Sequence, residues 1–240
     1  MKSLNANIGS TVLDQIQFLK TRNVKSPNRA NPEDAGIDFY IPYPDLDFID
    51  DFVIKNQNQN FILYIDAEYK DNMLTHSIIY TMYEYNDMIE SGITLSDEII
   101  GYFIEQFGVD EEDDINNIKF TKIEIEIPGC GRILVPSGVK VWINPKNSAL
   151  IATNKSGVAT KKGLVVGATT VDSTYTGEVH LSVINTNLHP VRVTLGEKLV
   201  QFIHTPVILS QMVEVSEDEY NNISSDSNRG SGGFGSTGLK

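Results

Sequence analysis

A single carboxylate between two strand-like runs is the first place where this chain offers chemistry. Residues 169–185 read T-T-V-D-S-T-Y-T-G-E-V-H-L-S-V-I-N. Val179, Leu181 and Val183 alternate with His180, Ser182 and Ile184, the period of two expected of a strand with one buried face. With Leu164, Val165, Val166 and Val171 leading in, the stretch reads as a β-hairpin that presents Asp172 at its turn, beside Ser173, Thr174 and Tyr175. An acid at the mouth of a sheet can reach a ligand, and carboxylates serve as general bases. The same residue can also be a turn aspartate bonded to its own backbone. Gly177 can mark a bulge or a close approach. A second centre lies at 229–238, R-G-S-G-G-F-G-S-T-G, with five glycines, the cation Arg229, the aromatic Phe234 and the hydroxyls of Ser236 and Thr237. Glycines let successive backbone amides curl around an anion, which an arginine can pair and an aromatic ring can accompany by stacking on a base. A disordered glycine-rich terminus describes the same string in its free state.

The stretch V-D-S-T-Y-T-G-E-V at 171–179 resembles the third motif of the trimeric dUTPases, enzymes that split dUTP into dUMP and pyrophosphate. Four further stretches match in that family's order: D-A-G-I-D-F at 34–39, N-K-S-G-V-A-T-K-K-G at 154–163, G-E-K-L-V-Q-F at 196–202, and the glycine-rich end at 229–238. Any one of them is weak, and five in order are strong. The resemblance covers residues 12–43 and 119–240 and leaves the segment between them uncovered.

The resemblance implies a division of labour. Asp172 orients a water in line with the α-phosphorus, and Asp38 supports the phosphate and metal region from behind. The Tyr175 ring packs against the sugar where a 2′-hydroxyl would sit, and backbone groups of the hairpin pair with the uracil edge. Lys155, Ser156 and Gly157 surround the bridging and β-phosphate oxygens, joined by Lys198 and Gln201. Arg229 pairs with the γ-phosphate and Phe234 stacks on the base, with Gly235, Ser236 and Thr237 completing the closure. Mg2+ arrives on the triphosphate with no direct protein ligand, and a homotrimer builds each site from three chains. Lys155 and Lys198 stand where the family usually has arginine; lysine keeps the charge but loses the planar two-point grip on phosphate. For Asp38, a buried, hydrogen-bonded structural role is equally in view.

Two rivals share these features. In the related dCTP deaminases a catalytic glutamate stands five residues after the glycine, where this chain has Ser182, and the second-motif arginine corresponds to Thr160. Both differences count against deamination. The other rival is a nucleotide-sensing regulator that grips a partner protein through the segment at 44–118.

The net charge of −13 looks wrong for a phosphate-binding protein until it is divided. Residues 44–118 hold 18 acids against two lysines, a charge of −16, which leaves 14 acids and 17 bases, +3, for the remainder. The scaffold is therefore mildly basic, as a polyanion site requires. The lone Cys130 excludes an internal disulfide framework. His76, His180, His189 and His204 do not form a metal-ligand pattern, and aromatic and basic residues do not interleave as in nucleic-acid grooves. No apolar run reaches the length of a membrane span, and the expectation is a soluble cytoplasmic protein, in the host cytoplasm if the source is viral or phage.

The elements that must position these groups are short strands. Residues 15–20, 37–41, 123–127, 127–143 and 191–203 alternate or run apolar between Gly and Pro turns, with strand continuing through 206–215, which argues for a mainly β fold with a jelly-roll or β-barrel core. Trp142 is expected in the core or an interface. The acidic stretch reads as a small α+β insertion domain: a polar loop at 56–60, a strand at 61–66, helical spacing at 78–89, and a helix at 95–107 capped by Thr94 or Ser96. The run 110–114 reads as a solvated loop. Core is thus expected at 1–43 and 119–215, with a mobile tail at 216–240 whose first part, 216–228, is a tether.

Overall fold

In the computed structural model, residues 15–57, 59–69, 72–74, 95–108 and 118–227 are described. The helical pattern at 78–89, the cap at Thr94, the 110–114 run and the motif at 229–238 lie outside them. The chain up to Val207 forms one compact unit and residues from Ile208 onward a second.

Among the described residues the first unit is mainly β, with a jelly-roll-like arrangement of three four-stranded sheets. One carries β1 (Ile16–Lys20), β6 (Arg132–Ile143), β10 (Glu178–Asn185) and β8 (Leu164–Val166) in the order β1-β6-β10-β8. The second runs β2-β12-β7-β9, formed by β2 (Ile37–Tyr40), β12 (Lys198–Pro206), β7 (Ser148–Thr153) and β9 (Thr170–Asp172). The third, β11-β5-β3-β4, joins β11 (Val191–Thr194) and β5 (Ile118–Ile127) to β3 (Ile62–Tyr69) and β4 (Asn72–Leu74). All pairings are antiparallel.

Alternation dictates which faces turn inward. Val179, Leu181 and Val183 of β10, Leu63 and Ile65 of β3, and Ile123, Ile125 and Ile127 of β5 are all buried. Each such side chain contributes about 1.5–3 kcal/mol by leaving water. Phe39 of β2 and Phe202 of β12 meet with ring centroids 4.6 Å apart, an aromatic contact between the strands that carry the first and fourth motifs.

The acidic stretch is built into this core. Its first helix, α1 (Leu46–Lys55), starts where the Asp45 carboxylate accepts from the Phe48 amide at 2.6 Å, an N-cap that satisfies an otherwise orphaned donor. Phe48, Ile49, Phe52 and Val53 are its buried face. At its end Asn56, read from sequence as the start of a polar loop, is buried instead: Nδ2 donates to Phe52 O and Leu134 O, and Oδ1 accepts from Leu134 N at 2.8 Å. Helix α2 (Leu95–Phe107) buries Ile99 and Phe103, and Phe103 meets Phe120 of β5 edge-on at 5.8 Å. Strand β3 pairs with β5 along its whole length, from Ile62 opposite Glu126 to Tyr69 opposite Ile118. A boundary at residue 118 therefore runs through a sheet.

Several expectations need correction. Residues 169–185 are not a hairpin: β9 pairs with β7 and β10 pairs with β6 and β8, so the segment is a corner that passes the chain from one sheet to another. Period-two alternation identifies strands but not their partners. Strand does not continue through 206–215, because β12 ends at Pro206 and 207–215 has no regular structure. The tether at 216–228 contains a helix, α3 (Glu217–Ser224), opened by a capping box in which the Glu219 amide donates to Ser216 Oγ and the Ser216 amide to the Glu219 carboxylate. The S-x-x-E spacing is the sequence signature of that motif. Trp142 is 46% exposed, which removes it from the core. Among the described residues no helix is long and apolar enough to cross a membrane.

Candidate functional site

Asp38 is the centre of one cluster. Its side chain is 3% exposed, and its backbone is fixed on two sides, opposite Asn28 and opposite Gln201. Lys155 Nζ donates to Oδ1, and Lys198 Nζ lies 2.8 Å from Oδ2. Burial alone would raise this carboxyl, but the hydrogen bonds and charges of Lys155 and Lys198 outweigh it and hold Asp38 below the ordinary carboxylate range. The bond to Asp38 in turn raises the Lys198 ammonium above its usual value. The three groups sum to one positive charge, and Lys25 adds another nearby, with its ammonium 4.9 Å from the Tyr40 ring centroid while Lys198 is 5.9 Å from the same ring.

Gln201 ties three of the sequence motifs together. Its Nε2 donates to Asn154 O at 3.0 Å, and its amide lies so close over Gly36 that a Cβ there would meet Oε1 at 2.5 Å. A side chain at the glycine of D-A-G-I-D-F would therefore make the Gln201 side chain give way. Beyond Asn154, Ser156 and Gly157 are exposed and open a single π-helical turn, Val158–Lys162, in which Thr160 Oγ1 donates to Ser156 O at 2.6 Å.

The second cluster is the corner between β9 and β10. Asp172 ends β9 with its side chain exposed, and among the described residues it makes no side-chain hydrogen bond. The Tyr175 amide donates to Asp172 O at 3.0 Å, closing the turn. Ser173 is buried beneath it and exchanges two 2.8 Å bonds with Lys146: Ser173 Oγ donates to Lys146 O, and Lys146 Nζ donates to Ser173 O. Tyr175 is 43% exposed, yet its hydroxyl donates to Glu178 O at 2.8 Å and its ring crosses Gly177 where a Cβ would sit. Close approach is therefore the role of Gly177, and the register shift lies next to it, between Glu178 and His180.

The two clusters do not meet in one chain. Asp38, Gln201 and Thr153 share a row across β2, β12 and β7, whereas Asp172 lies opposite Ala149, four residues along β7. At about 3.3 Å per residue and 4.8 Å per strand, the Asp38 and Asp172 backbones are on the order of 20 Å apart. The structure thus gathers Asp38, Lys155, Lys198 and Gln201 and sets Asp172 and Tyr175 apart from them; Arg229, Phe234, Gly235, Ser236 and Thr237 lie outside the described residues. Glu178 and Arg22 support the corner, and the sequence carries no sign of that role. An arginine just after a strand carries no signal there.

The dUTPase family model matches residues 118–238. A deoxyuridine 5'-triphosphate nucleotidohydrolase of Gloeothece citriformis is 40% identical over 129 residues, 52% of this chain and 84% of the relative. One from Acinetobacter baumannii is 37% identical over 116 residues, 48% of this chain and 73% of the relative. Among solved structures, the dUTPase of Staphylococcus bacteriophage 80alpha with dUpNHpp superposes with a TM-score of 0.53 at 16% identity, covering 94% of this chain and 99% of the phage chain. At that identity the likeness concerns the fold.

Proposed function

The chain belongs to the dUTPase family, and on that premise we propose that it is a dUTP diphosphatase that hydrolyses dUTP to dUMP and pyrophosphate, with Asp172 orienting the attacking water. The observation that carries this reading is the corner at 172–178, where an exposed carboxylate and an exposed tyrosine ring are fixed within one turn. A general base must have a lone pair free for water, and Asp172 is not engaged by a neighbouring side chain among the described residues. The Tyr175 ring, braced on Gly177 and Glu178, offers a rigid face to the deoxyribose that a 2′-hydroxyl would strike.

Lys155 and Lys198 neutralise the triphosphate, with Ser156 and the amides at the start of the π-helical turn as further donors. Asp38 acts through them by fixing both ammonium groups. No three His, Cys, Asp or Glu side chains converge among the described residues, and Asp38, the carboxylate nearest the cationic cluster, is already paired. A magnesium ion would be held chiefly by the phosphate oxygens, where it supplies charge neutralisation. Positioning and electrostatics supply most of the catalysis in phosphoryl transfer. The distance between the two clusters supports a site shared between chains, within the homotrimer that the family resemblance implies, in which one chain contributes Asp38, Lys155 and Lys198 and another contributes Asp172 and Tyr175. Arg229, Phe234, Gly235, Ser236 and Thr237 would then close over the nucleotide.

The test is product formation by purified protein with magnesium. Pyrophosphate and dUMP from dUTP, with dCTP untouched, support the reading. Ammonia from dCTP would establish deamination instead, and nucleotide binding without turnover would establish a regulator.

A further inference from the structure

Glu178 closes the corner that holds Asp172 and Tyr175, and both ends of this residue are occupied. Its carbonyl accepts from the Tyr175 hydroxyl and from His180 Nδ1, each at 2.8 Å. Its carboxylate turns the other way, where Oε1 accepts from the Gly138 amide at 2.6 Å and the Arg22 guanidinium approaches both oxygens, Nε at 3.3 Å and Nη2 at 3.4 Å. The side chains of Arg22 and Glu178 are 15% and 13% exposed, so this is not a solvated surface pair of the kind that contributes little. The same Nη2 bonds Asp51 of α1 at 2.5 Å. A charged chain therefore runs from the first helix of the acidic stretch through Arg22 to the Glu178 carboxylate, and the backbone carbonyl of the same residue receives the Tyr175 hydroxyl.

We propose that Arg22 is a positioning residue for sugar discrimination: anchored on Asp51, it holds the Glu178 carboxylate and thereby fixes the Tyr175 ring against the site of a 2′-hydroxyl. The inference rests on the sugar contact proposed for Tyr175. Its physical basis is a difference in stiffness between the two nucleotides' requirements. A ring that excludes one extra oxygen must be held to within a fraction of an ångström, whereas dUTP, lacking that oxygen, tolerates a ring with more freedom. Loss of Arg22 leaves the turn and Asp172 in place but leaves the Glu178 carboxylate held by the Gly138 amide alone, which loosens the residue whose carbonyl lies beneath Tyr175. Asp51 extends the same device, since without it the guanidinium loses its shorter partner and its fixed position.

The experiment compares kcat/KM for dUTP and UTP in wild type, Arg22→Met, Asp51→Asn, Glu178→Gln, Arg22→Met/Glu178→Gln and Tyr175→Ala. Arg22→Met is expected to lower the dUTP preference on the order of tenfold, mostly through a gain on UTP, with Asp51→Asn following by a few-fold and the double variant no worse than Arg22→Met alone. A purely structural role would lower the melting temperature and slow both nucleotides alike, leaving the ratio unmoved. An unchanged ratio in folded Arg22→Met, or in Asp51→Asn should Arg22→Met fail to fold, overturns the proposal provided that Tyr175→Ala relaxes the ratio. An unchanged ratio in Tyr175→Ala places the failure in the sugar contact itself, and the positioning role falls with it.

Discussion

Lys155 donates to the carboxylate of Asp38 from 117 residues further along the chain, and Lys198 approaches the other oxygen at 2.8 Å. One buried acid thus organises two cations that stand where phosphate-gripping arginines are usual in the resembled family. A lysine lacks the planar fork of arginine and is free to rotate. Fixing each ammonium on a shared carboxylate restores part of the orientation that the smaller head group gives up.

The pairing makes stability depend on pH at both ends. Asp38 is depressed below its ordinary 3.8, so its contribution is present above that value and is lost as pH falls through the lowered pKa. Lys198 is raised above its ordinary 10.5, so its contribution is present below that value and is lost as pH rises through the raised one. Asp38→Asn should therefore cost roughly 1–3 kcal/mol near neutrality, less than a fully buried pair because Lys198 is partly solvated. Melting curves of both proteins across pH should show the gap closing at the acid end below 3.8; a gap that persists there would mean that the loss comes from packing.

If one chain supplies the lysine cluster and another supplies Asp172, two inactive proteins should repair each other. Asp172→Asn and Lys155→Met/Lys198→Met, unfolded together and refolded as mixed trimers, would form some sites with both halves intact. Random assortment gives roughly a quarter of wild-type turnover. Activity no higher than the sum of the separate variants would place both halves in one chain.

Much of this site is legible in the sequence because it consists of local signals. The alternation of Val179, Leu181 and Val183, the turn residues around Asp172, and the short motifs at 34–39, 154–163 and 196–202 all report on their own neighbourhoods. What alternation cannot report is pairing, and so the corner at 172–178 reads as a hairpin until β9 is seen on β7 and β10 on β6. The ion pairs of Asp38 and the Arg22 bridge join residues far apart in sequence, so no spacing rule reaches them. Helix α1 and helix α3 are different cases. The Asp45 cap with Phe48, Ile49, Phe52 and Val53, and the Ser216 and Glu219 box, are both readable signals.

Replacing residues 45–117 with a short Gly-Ser loop separates catalysis from stability. It removes β3 from the β5 edge, the Asn56 bonds to Leu134, and the apolar face of α1. An uncovered strand edge invites pairing with other chains. The expected product melts lower and self-associates, yet it retains dUTP turnover per folded molecule, because no residue proposed to touch substrate is removed. Folded, trimeric protein without turnover would place the acidic stretch inside the site.

Ending the chain at Asn228 should leave the melting temperature unchanged while sharply lowering turnover, since the removed residues are proposed to act on bound nucleotide. Phe234→Ala isolates the stacking contribution, worth roughly 1–3 kcal/mol by analogy with bases on aromatic rings. It should appear in KM or kcat for dUTP. Unchanged kinetics in the truncated protein would make the glycine-rich end irrelevant to catalysis.

Asp172→Asn should separate binding from chemistry. Asparagine matches aspartate in size, and the turn itself is held by backbone and neighbouring groups: the Tyr175 amide on Asp172 O, the exchange between Ser173 and Lys146, and the pairing of Asp172 with Ala149. None of these needs the carboxylate, so the corner and the Tyr175 ring should keep their places. The amide cannot accept a proton from the attacking water, however. General-base catalysis contributes roughly 100- to 10,000-fold, and turnover should fall by at least that order while dUpNHpp with magnesium binds within a few-fold of wild type. Calorimetry with dUpNHpp and pyrophosphate release from dUTP, measured on one preparation, decide between outcomes. A variant that binds normally and turns over near the wild-type rate would remove Asp172 from the mechanism. Asp38 is then the remaining carboxylate to examine, and its ion pairs with Lys155 and Lys198 would have to open before it could accept a proton.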